Sequence, residues 1–392
     1  MFKSVLSLTL AAALGTASFG QTTLTAIPGE AAAAKYASIS QEILRAIEKG
    51  NEYLKSKQNP EGHWAQPSYP ALTALAVTAY MRDPANQGKP VPEYIRKGYD
   101  FILKSQKEDG SIFNRGMSSY NTAVCMMALL AANKEEYAPA ILKGRAYLIK
   151  QQNHFAPDNP YNGGIGYGDK QAPPIADLSN TSLALEAIYY SQKLAKDGKY
   201  GEQPDLDWNA ATEFINRCQQ NPAVNKEPWV SNDKSQLGGF VYRPGVSSAR
   251  DKKSAAFDKA EPPKAYGSMT YAGMQSLIYA NVDKNDPRVK LALKWLENSY
   301  SLDENPGMGV QGLYYYYQAM SKALSAMGID TLTLENGRKV DWRDELANKL
   351  ISIQKSDGSW VNTNNRWWEA DPVLVTSYCV LALEQLYHSI PR

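Results

Sequence analysis

The chain has 392 residues, 43% of them hydrophobic and 21% charged, which provides enough apolar material for a large core. Its 42 Lys and Arg residues nearly balance 40 Asp and Glu residues, so it lacks a concentrated basic field and no nucleic-acid partner is expected. The three cysteines and three histidines lie far apart, which excludes a disulfide framework and predicts no bound metal.

The N-terminal twenty residues have the order of a secretory leader. Lys3 precedes an apolar run from Val5 to Leu14, and small residues follow as far as Gly20, so cleavage before Gln21 is expected. We therefore predict a signal peptide over residues 1–20 and export to the periplasm or the extracellular space. The Thr- and Ala-rich stretch 21–40 is predicted to be a linker. No later apolar stretch is long enough to predict a stable transmembrane segment.

A repeated phrase organises residues 41–392, which are predicted to form one domain. In each copy a Leu or Ile is followed, after three residues, by Gln, then by a turn with Gly and usually an aromatic residue. The Gln slot falls at positions 58, 106, 152, 219, 300 and 354, and Tyr300 replaces Gln in the fifth copy. Gly permits the positive φ of an exit turn, and the Gln amide can satisfy unpaired groups at helix ends. We expect these turns to be structural.

Each turn leads into a second helix with its own register, in which a Thr is followed six residues later by a small residue. This Thr slot holds Thr73, Thr122, Thr181, Thr270 and Thr376, with Tyr317 in the fifth copy. The second helices, such as TAVCMMALLAA at 122–132, are apolar nearly all round, whereas the first helices are amphipathic. All-round apolarity indicates an inner helix. The sequence therefore predicts an all-α fold, an α/α toroid (α6/α6 barrel) of six helical-hairpin repeats.

This phrase resembles the QW repeat of the squalene–hopene cyclase and protein prenyltransferase β-subunit superfamily, over roughly residues 41–388. The resemblance implies a central cavity that binds or transforms an apolar terpenoid or prenyl ligand. Squalene–hopene cyclases carry D-x-D-D-T, but residues 177–181 read D-L-S-N-T, with Ser179 in the slot of the alkene-protonating acid. Prenyltransferases ligate zinc through a His whose slot holds Val375 here. We therefore expect neither that acid nor zinc, and no cofactor.

In such rings the N-termini of the inner helices converge on one mouth, where the ligand site is expected. The candidate catalytic residues there are Asp177, Asn180, Glu369 and Asp371. The candidate ligand-lining residues are Trp64, Tyr120, Asn121, Tyr266, Met269, Trp367 and Trp368. Asp and Asn at helix starts are also the best N-caps, so capping competes with catalysis at these positions.

Three functions remain open from the sequence. An apolar small molecule or lipid, terpenoid or prenyl in type, is the first ligand class, and it is supported by the repeat and the 25 tyrosines. A secreted carbohydrate-acting lyase or hydrolase is the second, because Glu369 and Asp371 could form an acid/base pair and the paired Trp367 and Trp368 could stack on a sugar. A non-catalytic interaction scaffold is the third. A deep apolar lumen favours the first of these functions, an open groove with paired carboxylates the second, and a plugged lumen the third.

Overall fold

The structure, a computed structural model, describes residues 30–168, 175–249 and 262–390. Within these residues twelve α-helices alternate between an outer and an inner position. The outer helices are α1 (Glu30–Ser56), α3 (Glu93–Lys104), α5 (Ala138–Lys150), α7 (Trp208–Cys218), α9 (Pro287–Asn298) and α11 (Trp342–Ser352). The inner helices are α2 (Pro70–Arg82), α4 (Ser118–Ala131), α6 (Leu178–Ala195), α8 (Gly267–Tyr279), α10 (Leu313–Met327) and α12 (Pro372–Ser389).

Short elements join these helices. Two strands, β1 (Leu332–Thr333) and β2 (Lys339–Val340), pair antiparallel between α10 and α11, with Leu332 opposite Val340. Single 3₁₀ turns occur at Pro84–Asn86, Glu135–Tyr137, Gly198–Tyr200, Lys234–Gln236 and Arg366–Trp368.

The inner helices form a closed ring. Each contacts the next in chain order, and α12 returns to contact α2, while α1 packs against α11 and α12. The predicted α/α toroid of six helical hairpins is therefore confirmed. None of the described helices is both long and apolar enough to cross a membrane.

Burial follows the difference between the two kinds of helix. In the inner helix α8 every residue except Ile278 is buried. In the outer helix α3 the buried residues are Ile95, Gly98, Tyr99 and Ile102, whose spacing places them on one stripe of the helix. The outer helices thus shield the ring, and the inner helices surround its lumen.

The Gln turns join each hairpin to the next. In the five copies that have Gln in the Gln slot, the Gln Nε2 donates two hydrogen bonds. One goes to the carbonyl of the glycine in the same turn, and the other goes to a backbone carbonyl of the following outer helix or its cap. For Gln58 the acceptors are Gly62 and Tyr94, at 2.9 and 2.7 Å. Gln354 donates to Gly358 and to Ala46 of α1, both at 3.0 Å, and so closes the ring. In the fifth copy the Tyr300 hydroxyl takes over, donating to Glu345 of α11 at 3.0 Å.

The Thr slot binds the same turns from the inner side. The Thr hydroxyl oxygen accepts the backbone N–H of the residue that ends each turn, as with Thr73 and Trp64 at 3.0 Å and Thr376 and Trp360 at 3.1 Å. The Gln and the Thr of the repeat therefore bond to the backbone and fix the geometry of the five hairpins that contain them.

The domain boundary differs from the prediction. The predicted leader 1–20 and residues 21–29 of the predicted linker lie outside the described residues, but α1 already begins at Glu30. The alanine-rich run 31–34 has high helix propensity, which the composition-based linker prediction overlooked. Tyr36 is buried and its hydroxyl donates to Asp341 at 2.5 Å, so residues predicted as linker belong to the outer layer of the toroid.

Candidate functional site

A cavity of about 370 Å³, here called the mouth cavity, lies at the N-terminal ends of the inner helices. Apolar side chains from five of these helices or the residues before them form much of its wall, including Leu72, Met117, Leu183, Met269 and Leu374. The remainder is mainly aromatic: Tyr69, Tyr120, Tyr167, Tyr242, Tyr266, Tyr315, Tyr378, Trp367 and Trp368. The ring thus has an apolar and aromatic chamber at the mouth.

Most of the predicted lining residues contribute to this wall. Tyr120, Tyr266, Met269, Trp367 and Trp368 are all part of it, as are the candidate catalytic residues Asn180 and Glu369. Four predicted site residues are not, namely Trp64, Asn121, Asp177 and Asp371.

Trp64 and Asn121 face the protein interior, which corrects the prediction for these two residues. The Trp64 indole Nε1 donates to the Leu54 carbonyl at 2.6 Å, so its ring is buried against its own hairpin. The Asn121 Oδ1 accepts the backbone N–H of Ala71 at 3.0 Å, and its Nδ2 donates to the Met117 carbonyl at 3.0 Å. Asn121 therefore ties the starts of α2 and α4 together.

Asp177 caps α6 and lies behind the cavity wall. Its Oδ1 accepts the backbone N–H of Asn180 at 2.8 Å, and its Oδ2 accepts the Asn180 Nδ2 at 2.7 Å. Burial raises the pKa of Asp177 to about 6, although these bonds and the nearby Tyr242 phenol oppose the shift. Asp177 therefore does not line the mouth cavity itself. Its two neighbours Asn180 and Tyr242 do.

Ser179 lines the cavity beside the phenol of Tyr315. This is the position in which the resembling cyclases carry the proton-donating acid. A serine hydroxyl is too weak an acid to protonate an alkene near neutral pH. The α6 N-terminus therefore presents a hydroxyl and an amide to the cavity.

Glu369 caps a helix that has no cap of its own. The N-cap residue of α10 is Gly312, and the Glu369 Oε1 accepts the backbone N–H of Tyr315 at 2.8 Å. The other oxygen, Oε2, accepts the Asn362 Nδ2 at 2.6 Å. Burial raises the pKa of Glu369, and its hydrogen bonds to the α10 backbone oppose that shift. Both oxygens are thus engaged in positioning α10.

Asp371 serves a different helix, which corrects the predicted acid/base pair. Its Oδ1 accepts the backbone N–H of Val373 at 2.8 Å and caps α12, and it does not line the cavity. Because Glu369 and Asp371 cap two separate helices, they do not face a shared ligand position.

Two consecutive tryptophans form the rim of the mouth cavity. Trp367 and Trp368 have φ values of +55° and +64°, and 45% and 41% of their surfaces remain exposed. A bulky side chain in this left-handed region costs free energy, and such strain clusters at ligand sites. The Trp368 ring packs on Tyr69 with 4.6 Å between centroids, and the Arg366 guanidinium lies 4.4 Å from the Trp367 ring centroid.

Several lining residues were missed, yet the repeat register contains a signal for some of them. In all six inner helices the residue two positions after the Thr slot faces the lumen. This rule identifies Leu183 after Thr181 and Tyr378 after Thr376. The position two before the slot also faces the lumen in five hairpins, which identifies Tyr315. No comparable pattern marks Tyr69, Tyr167 or Tyr242, which lie outside the helices.

The part of the chain that the structure describes has no group of three or more His, Cys, Asp or Glu residues placed to hold a metal ion. The slot of the zinc-binding His holds Val375, which is fully buried. The expected absence of a metal and of a cofactor stays a prediction.

Comparison with known proteins shows the same fold. No known family profile matches the sequence. The type II terpene cyclase MstE from Scytonema, without ligand, is 11% identical, with a TM-score of 0.52 covering 89% of this chain and 99% of that chain. A variant of that enzyme in complex with its substrate geranylgeranyl dihydroxybenzoate is 10% identical, with a TM-score of 0.52 covering 90% and 99%. A protein from Actinoplanes is 13% identical, with a TM-score of 0.50 covering 88% and 99%.

Proposed function

We propose that this protein binds an isoprenoid ligand, a terpenoid or prenyl compound, in the mouth cavity. The observation that carries the proposal is the aromatic and aliphatic wall around about 370 Å³. Small-molecule sites typically enclose about 300–1,000 Å³ and are lined mainly by apolar and aromatic side chains with a few polar groups. The similarity to a terpene cyclase structure with a bound geranylgeranyl substrate supports the same ligand class.

The polar groups of the cavity suit binding better than acid-initiated cyclisation. Ser179 occupies the position of the acid, Asp177 lies behind the wall, and both Glu369 oxygens are engaged by α10 and Asn362. Tyrosine and tryptophan faces attract positive charge as well as apolar surface. Any transformation of the ligand here would therefore proceed without protonation by a free cavity carboxylic acid.

The mouth cavity gives less support to a carbohydrate-acting enzyme or to a non-catalytic scaffold. Among the described lining residues Glu369 is the only carboxylate, so the cavity has no second acid for glycoside chemistry. A pure scaffold has no need of an open chamber or of a strained tryptophan rim. The isoprenoid ligand accounts for both features.

The experiment is to fill the cavity by enlarging one side chain of its wall. Leu183 is half-buried in α6 and faces the chamber, so Leu183→Trp places an indole in the ligand volume. We expect farnesol and geranylgeraniol affinity, measured by calorimetry, to fall at least tenfold while the melting temperature changes little. The matched control is Leu237→Trp, because 39% of the Leu237 surface is exposed.

The proposal fails if the wild-type protein binds neither alcohol, or if Leu183→Trp binds both as tightly as the wild type. Native mass spectrometry of the protein purified from its own envelope adds an independent readout. A retained isoprenoid that is lost in Leu183→Trp supports the proposal.

We also propose that the protein acts after export. The order of Lys3, the apolar run and the small residues up to Gly20 supports cleavage before Gln21. N-terminal sequencing of the native protein should begin at Gln21, and a native chain that still begins at Met1 would contradict export.

A further inference from the structure

The lumen continues beyond the mouth cavity into a second chamber of about 80 Å³, here called the floor cavity. Its wall comes from the same six inner helices, further along each of them, as shown by Leu75 and Arg82 of α2. Tyr120, Leu183, Tyr315 and Tyr378 line both cavities. These shared side chains show that the two chambers are adjacent in the lumen.

The floor cavity differs chemically from the mouth cavity because its wall carries charges. Arg82, Glu186 and Lys322 all line it, together with the side-chain amides of Gln275 and Gln318. The Lys322 Nζ donates to the Glu186 Oε2 at 2.5 Å, so these two charges neutralise each other. Within the described chain the side chain of Gln318 makes no hydrogen bond, although its position on α10 aims it at this chamber.

Arg82 makes no hydrogen bond to an acidic group in the described chain. Its closest acid is Glu384, whose Oε2 lies 3.9 Å from the Arg82 Nε, beyond hydrogen-bond distance. Glu384 is completely buried, and neither of its oxygens accepts a hydrogen bond in the described chain. Burial raises the pKa of Glu384 well above its ordinary value. The Arg82 guanidinium also donates to the uncharged Gln385 Oε1 at 2.8 Å.

We propose that the floor cavity binds a carboxylate, and that Arg82 recognises it with help from Gln318. The chamber has room for a small head group, while the apolar chain of the same ligand occupies the mouth cavity. A guanidinium that makes no hydrogen bond to an acid is able to bind a carboxylate through two hydrogen bonds. A diphosphate would bring more negative charge into this enclosed place than Arg82 can balance. The inference rests on the proposed function and names the ligand as an isoprenoid acid.

The test compares farnesoic acid with farnesol, which differ at the head group. We expect the wild-type protein to bind the acid about tenfold more tightly than the alcohol in calorimetry at neutral pH. Arg82→Gln should abolish this preference, and Arg82→Lys should retain much of it. The matched control is Arg45→Gln, because Arg45 is exposed on the outer helix α1.

A second variant keeps the test decisive if Arg82→Gln does not fold. Gln318→Leu leaves Arg82 and the Lys322–Glu186 ion pair intact and should reduce the ratio of acid to alcohol affinity several-fold. Equal binding of acid and alcohol by the wild type, or an unchanged ratio in the folded variants, would overturn the carboxylate site while leaving the proposed function intact. Tighter binding of farnesyl diphosphate than of farnesoic acid would also overturn it. If neither farnesoic acid nor farnesol binds, the proposed function itself fails.

Discussion

Replacing Gly358 by Ala should destabilise the ring far more than the same change at Gly337. The two glycines have similar left-handed backbones, with φ values of +88° and +80°. They differ in the space beside them. A Cβ atom at Gly358 would lie 2.3 Å from the Lys49 carbonyl oxygen of α1, whereas one at Gly337 would meet nothing within 4 Å. The pair therefore isolates the contact between the sixth hairpin and the first.

The magnitude follows from two separate costs. Alanine in the left-handed region costs about 1–2 kcal/mol, and this is the whole effect expected at Gly337. At Gly358 the collision with α1 adds about 1–3 kcal/mol of overpacking, for a total of about 2–5 kcal/mol. With an unfolding entropy of about 2.1 cal/mol/K per residue over about 340 residues, these become decreases in melting temperature of about 1–3 °C and about 3–7 °C.

Thermal unfolding followed by far-ultraviolet circular dichroism measures both variants under one condition. Equal shifts for Gly358→Ala and Gly337→Ala would refute the reasoning, because the turn glycine would then not be held against α1. A larger shift at Gly358 would show that close packing of this turn, together with the Gln354 hydrogen bonds, maintains ring closure.

Two further predictions concern the mouth cavity. Burial raises the Asp177 pKa from 3.8 to about 6, so its bound proton stabilises the fold below about pH 4, and that contribution of about 3 kcal/mol is lost as the pH rises through 6. Asp177→Asn lacks this pH dependence. The difference in free energy of unfolding between the wild type and the variant, measured by chemical denaturation, should therefore shrink by about 3 kcal/mol from pH 4 to pH 7. A difference that stays constant over this range would contradict the interpretation of Asp177 as a buried cap. Trp368→Gly should keep the melting temperature, since Gly adopts the φ of +64° without strain, while farnesol affinity falls several-fold. A stability loss of several kcal/mol would instead make Trp368 a structural residue.

The architecture could be predicted from the sequence because the repeated residues bond to the backbone. In the five hairpins that have them, the Gln at the end of the outer helix and the Thr near the start of the inner helix bond to the same kinds of backbone group. The fifth copy shows the limit of this regularity. Tyr300 stands there in place of Gln, and its hydroxyl bonds to the Glu345 side chain and not to a backbone carbonyl. The contact it makes still joins the fifth hairpin to the sixth.

The site was harder to predict because side-chain direction depends on the packed ring. Trp64 was expected in the ligand site, yet it occupies the same turn position as Trp360. Both indoles donate to a carbonyl ten residues earlier, Leu54 and Leu350, so comparison of the two copies would have identified Trp64 as structural. Glu369 was expected to be an acid or base, and its capping of α10 depends on a segment far away in sequence, which no local pattern reveals.

The N-terminus of α6 shows why the residue that lines the cavity differs from the one that the sequence favours. Asp177 lies at the cap position, where its carboxylate turns back to the helix backbone at Asn180. Ser179 is two residues further on and two residues before Thr181, at a register position that faces the lumen in most hairpins. The cap and the lumen-facing position are therefore different residues, and one carboxylate cannot serve both. Because this chain keeps its carboxylate at the cap and places a hydroxyl in the lumen, α6 gives the cavity a hydrogen-bonding wall in place of a proton donor.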